Sequence, residues 1–87
     1  MTDIDFPGKV MPKVTVLGTV SFQARVDGEY LWCEISCEAL RVHFGAKSMG
    51  EDELLNAFYR GKDRIERVAR DRLKLNDREI LLMVVDF

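Results

Sequence analysis

Residues 19–35 constrain the fold more than any other part of this chain. Apolar and polar residues alternate on both sides of the dipeptide Asp27-Gly28, and a period of two is typical of strands buried on one face. Asp and Gly accept the positive φ angles of a two-residue type I′ turn. With this turn the facing pairs are Val26 and Glu29, Ala24 and Leu31, Phe22 and Cys33, and Val20 and Ile35. The segment is therefore predicted to be a β-hairpin with one apolar side.

Two helices are predicted after the hairpin. Ser36 is a suitable N-cap for a short helix over residues 37–44, and Gly45 would end that helix in the left-handed conformation. Ser48 and Glu51 have the spacing of a capping box, so a second, longer helix is predicted to begin there. Its apolar residues fall within one sector at 100° per residue, which identifies the face that packs on the sheet. They are Leu54, Phe58, Gly61, Ile65, Val68 and Ala69, with Leu55 and Leu73 at the flanks.

The end of the chain departs from a simple amphipathic pattern in two ways. Arg72 lies in the middle of the apolar sector, where it either extends to solvent at a frayed helix end or marks a departure from ideal helical geometry. Residues 78–86 are predicted to form the last strand and are apolar on both faces, as in strands covered on both sides. With helices on one side only, the second face needs another subunit or the N-terminal arm.

The beginning of the chain is predicted to be irregular. Residues 1–12 contain Pro7, Gly8 and Pro12 and are predicted to form a loose arm, with room for a short edge strand at Ile4 and Phe6. Residues 13–87 then form a single domain, which begins with a strand near Lys13 whose apolar positions are Val14 and Val16. The predicted fold class is α+β with the order β-β-β-α-α-β. A small antiparallel sheet, built from the hairpin and its flanking strands, carries two helices on one face.

Composition excludes several classes of protein. A chain of 87 residues builds one core, and 47% hydrophobic with 32% charged residues is ordinary globular composition. A net charge of −2 offers no whole-molecule attraction to nucleic acid or to anionic membranes. The acidic start lacks the pattern of a signal peptide, and the longest apolar run, residues 80–85, is too short to span a bilayer. A cytoplasmic protein without a membrane partner is expected.

The residues that could carry chemistry are few. Cys33, Cys37 and His43 supply three candidate zinc ligands where four are needed, and the two cysteines do not have the redox C-x-x-C spacing. Cys33 lies on the apolar side of the hairpin, where a cysteine usually acts as a small hydrophobic residue. The single histidine has no arranged nucleophile or carboxylate near it, and no phosphate-binding loop is present in the sequence. No catalytic activity, cofactor, metal or small-molecule substrate is expected.

The polar side of the hairpin carries an aromatic surface. Tyr30 and Trp32 are predicted to lie across from Arg25 and Gln23, so the only tryptophan lies beside a cation. Aromatic residues and arginine are enriched in protein interfaces. Either this surface binds a partner, or the N-terminal arm or a neighbouring helix covers it.

The outer face of the long helix is basic. Residues 60–78 hold eight Lys or Arg residues against four acids, and a basic helix face can follow a phosphate backbone. The alternative is a solvated helix face, in which Asp63 pairs with Arg67 and Glu66 with Arg70 at the favourable i, i+4 spacing. The candidate contacts to nucleic acid are Arg60, Arg64, Arg67, Arg70 and Lys74.

A set of core and turn residues runs through most of the chain. It consists of Phe22, Ala24, Val26, Gly28, Cys33, Ile35, Ser36, Ala39, Leu40, Phe58, Arg64, Ile65 and Ala69, with Ile4 and Phe6-Pro7 at the start and Asp86-Phe87 at the end. The set resembles the bacterial family catalogued as domain of unknown function 1488. The resemblance implies a fold and a bacterial origin, and it brings no catalytic residues with it.

The sequence thus predicts a small non-enzymatic binding or regulatory domain. Self-association through the outer sheet face, with Arg25, Tyr30 and Trp32 in the interface, is the preferred hypothesis, and a homodimer is the first expectation. Binding of nucleic acid through the basic helix face is the alternative.

Overall fold

The computed structural model describes residues 3–87 as one five-stranded sheet packed against three α-helices. The strands are β1 (Ile4–Asp5), β2 (Lys13–Val14), β3 (Val20–Val26), β4 (Glu29–Ile35) and β5 (Ile80–Leu82). The helices are α1 (Cys37–Phe44), α2 (Glu51–Arg60) and α3 (Lys62–Lys74), and a 3₁₀ turn (Val84–Asp86) follows β5. Residues 1 and 2 of the predicted arm lie outside the described part. The α+β fold class is confirmed, with more elements than the predicted order contains.

The predicted hairpin is confirmed in its register. Val20 faces Ile35, Phe22 faces Cys33, and Val26 faces Glu29 across an antiparallel pair. Asp27 and Gly28 both have positive φ, 51° and 88°, as a type I′ turn requires. The right-handed twist that this turn favours keeps the two strands paired over their full length.

Two short strands share the free edge of β3. In β1, Ile4 lies opposite Val26, and in β2, Val14 lies opposite Val20 at the other end of β3. The edge strand allowed for at Ile4 and Phe6 is therefore present at Ile4 and Asp5. The strand predicted through Val16 is too long, because the backbone N–H of Gly18 donates to the carbonyl of Thr15 and closes a turn that leaves Val16 fully exposed.

The last strand corrects the prediction of an all-antiparallel sheet. β5 pairs with β4 in parallel, with Cys33 opposite Ile80 and Ile35 opposite Leu82. The three helices between β4 and β5 explain this pairing. A connection that crosses one face of the sheet returns the chain to the end at which β4 begins, so β5 runs in the same direction as β4. The strand is also shorter than the predicted residues 78–86, since the chain turns into the 3₁₀ turn after Met83.

Helix α1 forms as the sequence predicts. The hydroxyl of Ser36 accepts a hydrogen bond from the backbone N–H of Ala39 at 3.1 Å, which satisfies one free donor of the first turn. Gly45 ends the helix with φ 75°, and its neighbour Ala46 donates its N–H to the carbonyl of Leu40.

The predicted long helix is two helices that meet at Gly61. An added Cβ at Gly61 would lie 2.1 Å from Cδ1 of Phe44, so the absence of a side chain allows the Phe44 ring to pack at the junction. Gly61 has φ −101° and ψ 10°, outside helical geometry. The start is also corrected: Gly50 occupies the N-cap position, whereas the Ser48 hydroxyl accepts from the Gly50 N–H and forms no capping box.

Arg72 lies in the last turn of α3, which stays helical to Lys74, and its 29% exposed side chain is held by contacts within the chain. Its guanidinium donates to Oδ2 of Asp77 at 2.7 Å and to the carbonyl of Leu81 at 3.0 Å, and it lies 3.5 Å from the carboxylate of Asp86. The backbone N–H of Met83 donates to that same carboxylate. Arg72 therefore joins α3 to the edge strand β5. It donates to the carbonyl of Leu81, which at the edge of the sheet has no neighbouring strand to pair with.

The core lies between the sheet and the helices. The inner sides of β3, β4 and β5 supply fully or almost fully buried apolar residues, and the Phe22 ring lies 5.3 Å from the Phe58 ring of α2. The main helical contributions to this core are Leu40, Leu54, Phe58, Ile65, Ala69 and Leu73. Among the described residues the helices thus cover one face of the sheet, and the other face keeps Tyr30 and Trp32 partly exposed.

Candidate interaction surfaces

The first candidate surface is the outer face of the sheet, defined by the side chains that alternate with the core residues. Trp32 is 44% exposed, Tyr30 51% and Leu81 40%. Trp32 lies opposite Gln23 and Tyr30 opposite Arg25, while Leu81 lies beside Glu34 across the β4–β5 pair. Three large apolar groups are thus held by two neighbouring strands on one side of the sheet. The structure brings Arg25, Tyr30 and Trp32 together on this face.

Arg25 is fixed at one end of the outer face. Its guanidinium forms a bidentate ion pair with Asp5 of β1 and lies 5.9 Å from the ring centroid of Tyr30. Hydrogen bonding to Asp5 is the main cause that raises the pKa of Arg25 above its ordinary value. The bidentate pair fixes the position of the guanidinium, and a guanidinium is more weakly hydrated than an ammonium group, so it loses less on leaving water.

Lys13 and Glu34 occupy the other end of the outer face. The Lys13 ammonium lies 6.0 Å from the Trp32 ring centroid, and the Glu34 carboxylate accepts a hydrogen bond from the Thr19 hydroxyl. Lys13 and Glu34 both lie in the row that contains Ser21, which is 6% exposed. The face therefore combines two cations and two carboxylates, and its charges balance around the exposed aromatic rings.

Lys13 and Leu81 belong to this surface but were not identified as such from the sequence. Lys13 was predicted only to lie at the start of a strand, and Leu81 was predicted to lie in a strand covered on both sides. The alternation of residues 80–82 could have placed Leu81 on the face of Trp32, but only if the pairing of β5 with β4 had been known. Local periodicity does not show which strands pair when they are distant in sequence.

The second candidate surface, the basic face of α2 and α3, is largely occupied by contacts within the chain. The Arg60 guanidinium donates to the carbonyls of Phe44 and Gly45 at 3.1 Å, so it caps the end of α1. Arg64 lies 5.7 Å from the ring centroid of Phe44 and 5.5 Å from that of Phe87.

Three further cations were predicted to lie on this basic face. Arg70 lies 5.5 Å from the ring centroid of Phe6, whereas Arg67 and Lys74 are exposed. The expected pairing of Glu66 with Arg70 is replaced by an ion pair of 2.8 Å between Lys62 and Glu66. Of the five predicted cations, Arg60, Arg64 and Arg70 make contacts within the chain, and all but Arg70 are exposed.

The cysteines and the histidine lie in different environments. Cys33 is completely buried, and burial raises the pKa of its thiol to about 12. His43 Nε2 lies 3.0 Å from the carbonyl oxygen of Val84, and its ring packs 5.5 Å from that of Phe87. Within residues 3–87, no three His, Cys, Asp or Glu side chains are placed to hold a metal ion. The His43 ring instead contributes to the packing of the 3₁₀ turn against α1.

Comparison with known proteins yields one match. A family model described as "Protein of unknown function (DUF1488)" matches residues 4–82, from β1 through β5. Asp86 and Phe87 lie beyond the matched residues. No curated protein and no solved structure matches the chain. In the described part of the chain, no helix has the length and apolar character needed to cross a membrane.

Proposed function

The chain belongs to the DUF1488 family of proteins of unknown function, and from that premise we propose that it is a non-enzymatic binding module that self-associates through the outer face of its sheet. The observation that carries the proposal is the exposure of Trp32, Tyr30 and Leu81 on the face opposite the helices. Large aromatic side chains are usually buried by some partner. Aromatic residues close to arginine are also enriched in the centres of interfaces.

The charge pattern of the outer face supports a second copy as the partner. Asp5 and Glu34 balance Lys13 and Arg25, so the face has no net charge to attract a strongly acidic or basic molecule. A two-fold axis brings the same patch of each copy together, which requires a surface that complements itself. A balanced surface with apolar groups at its centre meets that requirement.

The size of the outer face indicates a weak dimer. Strands β3 and β4 are each seven residues long, but β1 and β5 have only two and three, so at a strand spacing of about 4.8 Å the face is at most roughly 20 by 24 Å. Such a face is smaller than the roughly 600–1,000 Å² per partner of stable interfaces and falls within the range of weak ones. We therefore expect a dimer that dissociates on dilution through the micromolar range.

Sedimentation velocity across a dilution series tests the proposal. Trp32→Ala removes the central ring and should raise the dimer dissociation constant by roughly 30-fold, the effect of a typical interface hot spot. Tyr59→Ala is the matched control, because Tyr59 is 46% exposed but lies on α2, away from the outer face. A wild-type chain that is monomeric at every concentration would contradict the proposal, and so would equal weakening by both substitutions.

Binding of nucleic acid through the basic helix face is the second proposal, and it gains less support from the geometry. Four of the five cations are exposed, but Arg60, Arg64 and Arg70 also contact carbonyls or aromatic rings within the chain, which limits their freedom to reach a phosphate. Nucleic-acid binding through this face would weaken steeply with added salt.

A further inference from the structure

A cleft lies at the turn end of the hairpin, at the border of the outer face. Its volume is about 370 Å³, and its lining residues are Val26, Asp27, Glu29, Tyr30, Leu31 and Arg78. A volume of this size suits a single side chain or a small organic group. The cleft is open to solvent and lies within one chain, so it exists without self-association.

The turn end of the hairpin is rich in carboxylates. Asp27 and Glu29 line the cleft, and Asp3 lies next to them. The backbone N–H of Asp3 donates to Oδ1 of Asp27 at 2.8 Å, and the N–H of Asp27 donates to the carbonyl of Asp3 at 2.8 Å. This reciprocal pair fixes the chain before β1 against the turn. The cleft therefore has an acidic wall in which Asp27 is held in place by the chain before β1.

The remaining walls fit the stem and carbonyl of a long basic residue. Leu31 supplies a half-buried apolar surface, and the Tyr30 ring is 51% exposed. The guanidinium of Arg25 lies 5.9 Å from the Tyr30 ring centroid, and the exposed part of the ring offers an apolar surface to a side-chain stem. Arg78 is anchored through Nη1 to the carbonyls of Leu73 and Asp77, and a guanidinium carries further donors for a peptide carbonyl.

We propose that this cleft binds an arginine or lysine side chain presented by a peptide. The cation lies against Asp27 and Glu29, the aliphatic stem packs on Tyr30 and Leu31, and Arg78 donates to the backbone of the peptide. The proposal goes beyond self-association, since it assigns a second kind of partner to a site that a single chain completes. The carboxylates on one wall distinguish the cleft from the charge-balanced outer face.

An NMR titration of the ¹⁵N-labelled chain with N-acetyl-arginine amide tests the proposal. Amide shifts are expected at residues 27–31 and at Arg78, with a dissociation constant in the roughly millimolar range that a single side chain supports. N-acetyl-citrulline amide has nearly the same shape without the charge and should cause no saturable shift. Shifts of equal size with both compounds, or none with the arginine compound, would overturn the proposal.

Two substitutions locate the binding. Glu29→Gln should weaken binding of the arginine compound by about fivefold, which corresponds to the loss of one exposed charge pair. Glu51→Gln removes the same charge from the exposed start of α2 and should leave binding within about twofold of wild type. Equal effects of both substitutions would show attraction by overall charge only and would contradict a site at the cleft.

Trp32→Ala separates the cleft from self-association. Trp32 does not line the cleft, whereas Tyr30 belongs both to the cleft and to the proposed interface, so this variant should bind the arginine compound at least as tightly as wild type. Binding that disappears together with the dimer would contradict a cleft completed by one chain. A wild-type chain that stays monomeric and still binds the compound would contradict only the self-association proposal.

Discussion

The two faces of the sheet are built from alternate residues of the same strands, yet they differ in burial, polarity and charge. On the inner face, Phe22 and Cys33 face each other and are 4% and 0% exposed. One residue further along, Gln23 faces Trp32, and the Trp32 side chain is 44% exposed. The inner face is apolar and covered by three helices, whereas the outer face carries balanced charges and bare aromatic rings. The difference indicates that the stability of the fold depends mainly on the inner face, and we propose that the outer face serves recognition.

The largest expected effect is a contrast in stability between the two faces. Phe22→Ala removes a ring that packs 5.3 Å from Phe58 and 6.1 Å from Phe6, and it should cost about 3–5 kcal/mol of unfolding free energy. Trp32→Ala should cost less than about 1 kcal/mol, because surface substitutions leave the core intact. Urea unfolding of dilute protein, where the dimer has dissociated, measures both. Comparable losses of unfolding free energy from the two substitutions would contradict the expected difference between the two faces.

A smaller effect is expected where the helical layer fits over the inner face. Gly61→Ala places a Cβ about 2 Å from the Phe44 ring and should destabilise the fold by about 1–3 kcal/mol, the cost of overpacking a filled site. In an ordinary helix interior the same change would stabilise by up to about 1 kcal/mol. The sign of the shift in thermal midpoint therefore decides between a packed junction and one continuous helix.

The smallest effect concerns the β5 edge, where the two faces meet. Arg72→Met removes the hydrogen bonds to Asp77 and to the Leu81 carbonyl and should lower the urea midpoint at pH 6 by less than Phe22→Ala does. The hydrogen bond from Arg72 lowers the pKa of Asp77 below its ordinary value of 3.8. The ionised carboxylate therefore stabilises the fold above about pH 4, and this contribution is lost as the pH falls through the lowered pKa.

The pH dependence supplies the control for this edge. Between pH 6 and pH 3 the wild type should lose more stability than Arg72→Met, since without Arg72 the pKa of Asp77 lies closer to its ordinary value. Arg67→Met removes a cation from the exposed side of α3 and should keep the wild-type pH dependence. An Arg72→Met variant that retains the full wild-type loss would show that the Arg72–Asp77 pair contributes nothing.

The parts of the fold that the sequence predicts are local. The register of β3 with β4 follows from Asp27-Gly28 and the alternation around it, and α1 follows from Ser36 and Gly45. The parallel pairing of β5 depends on where three helices return the chain, which no local pattern encodes. The break at Gly61 was missed because its cause is the Phe44 ring, which is 17 residues earlier in the chain.

The candidate surfaces divide in the same way. Alternation alone placed Arg25, Tyr30 and Trp32 on one face, because cross-strand neighbours follow from the hairpin register. Helical periodicity predicted the helix face on which Arg60 and Arg64 lie, but it did not predict the groups that they contact. Those contacts depend on the carbonyls and rings at the end of α1 and on Phe87, which the tertiary fold brings near.

The fluorescence emission maximum of Trp32 across a wide dilution series tests the central claim most directly, because this single tryptophan lies at the centre of the proposed interface. Self-association through the outer face predicts a blue-shifted maximum at high concentration that moves to the red as the dimer dissociates. A red maximum that is the same at every concentration would contradict the claim and leave the outer face open for a different partner.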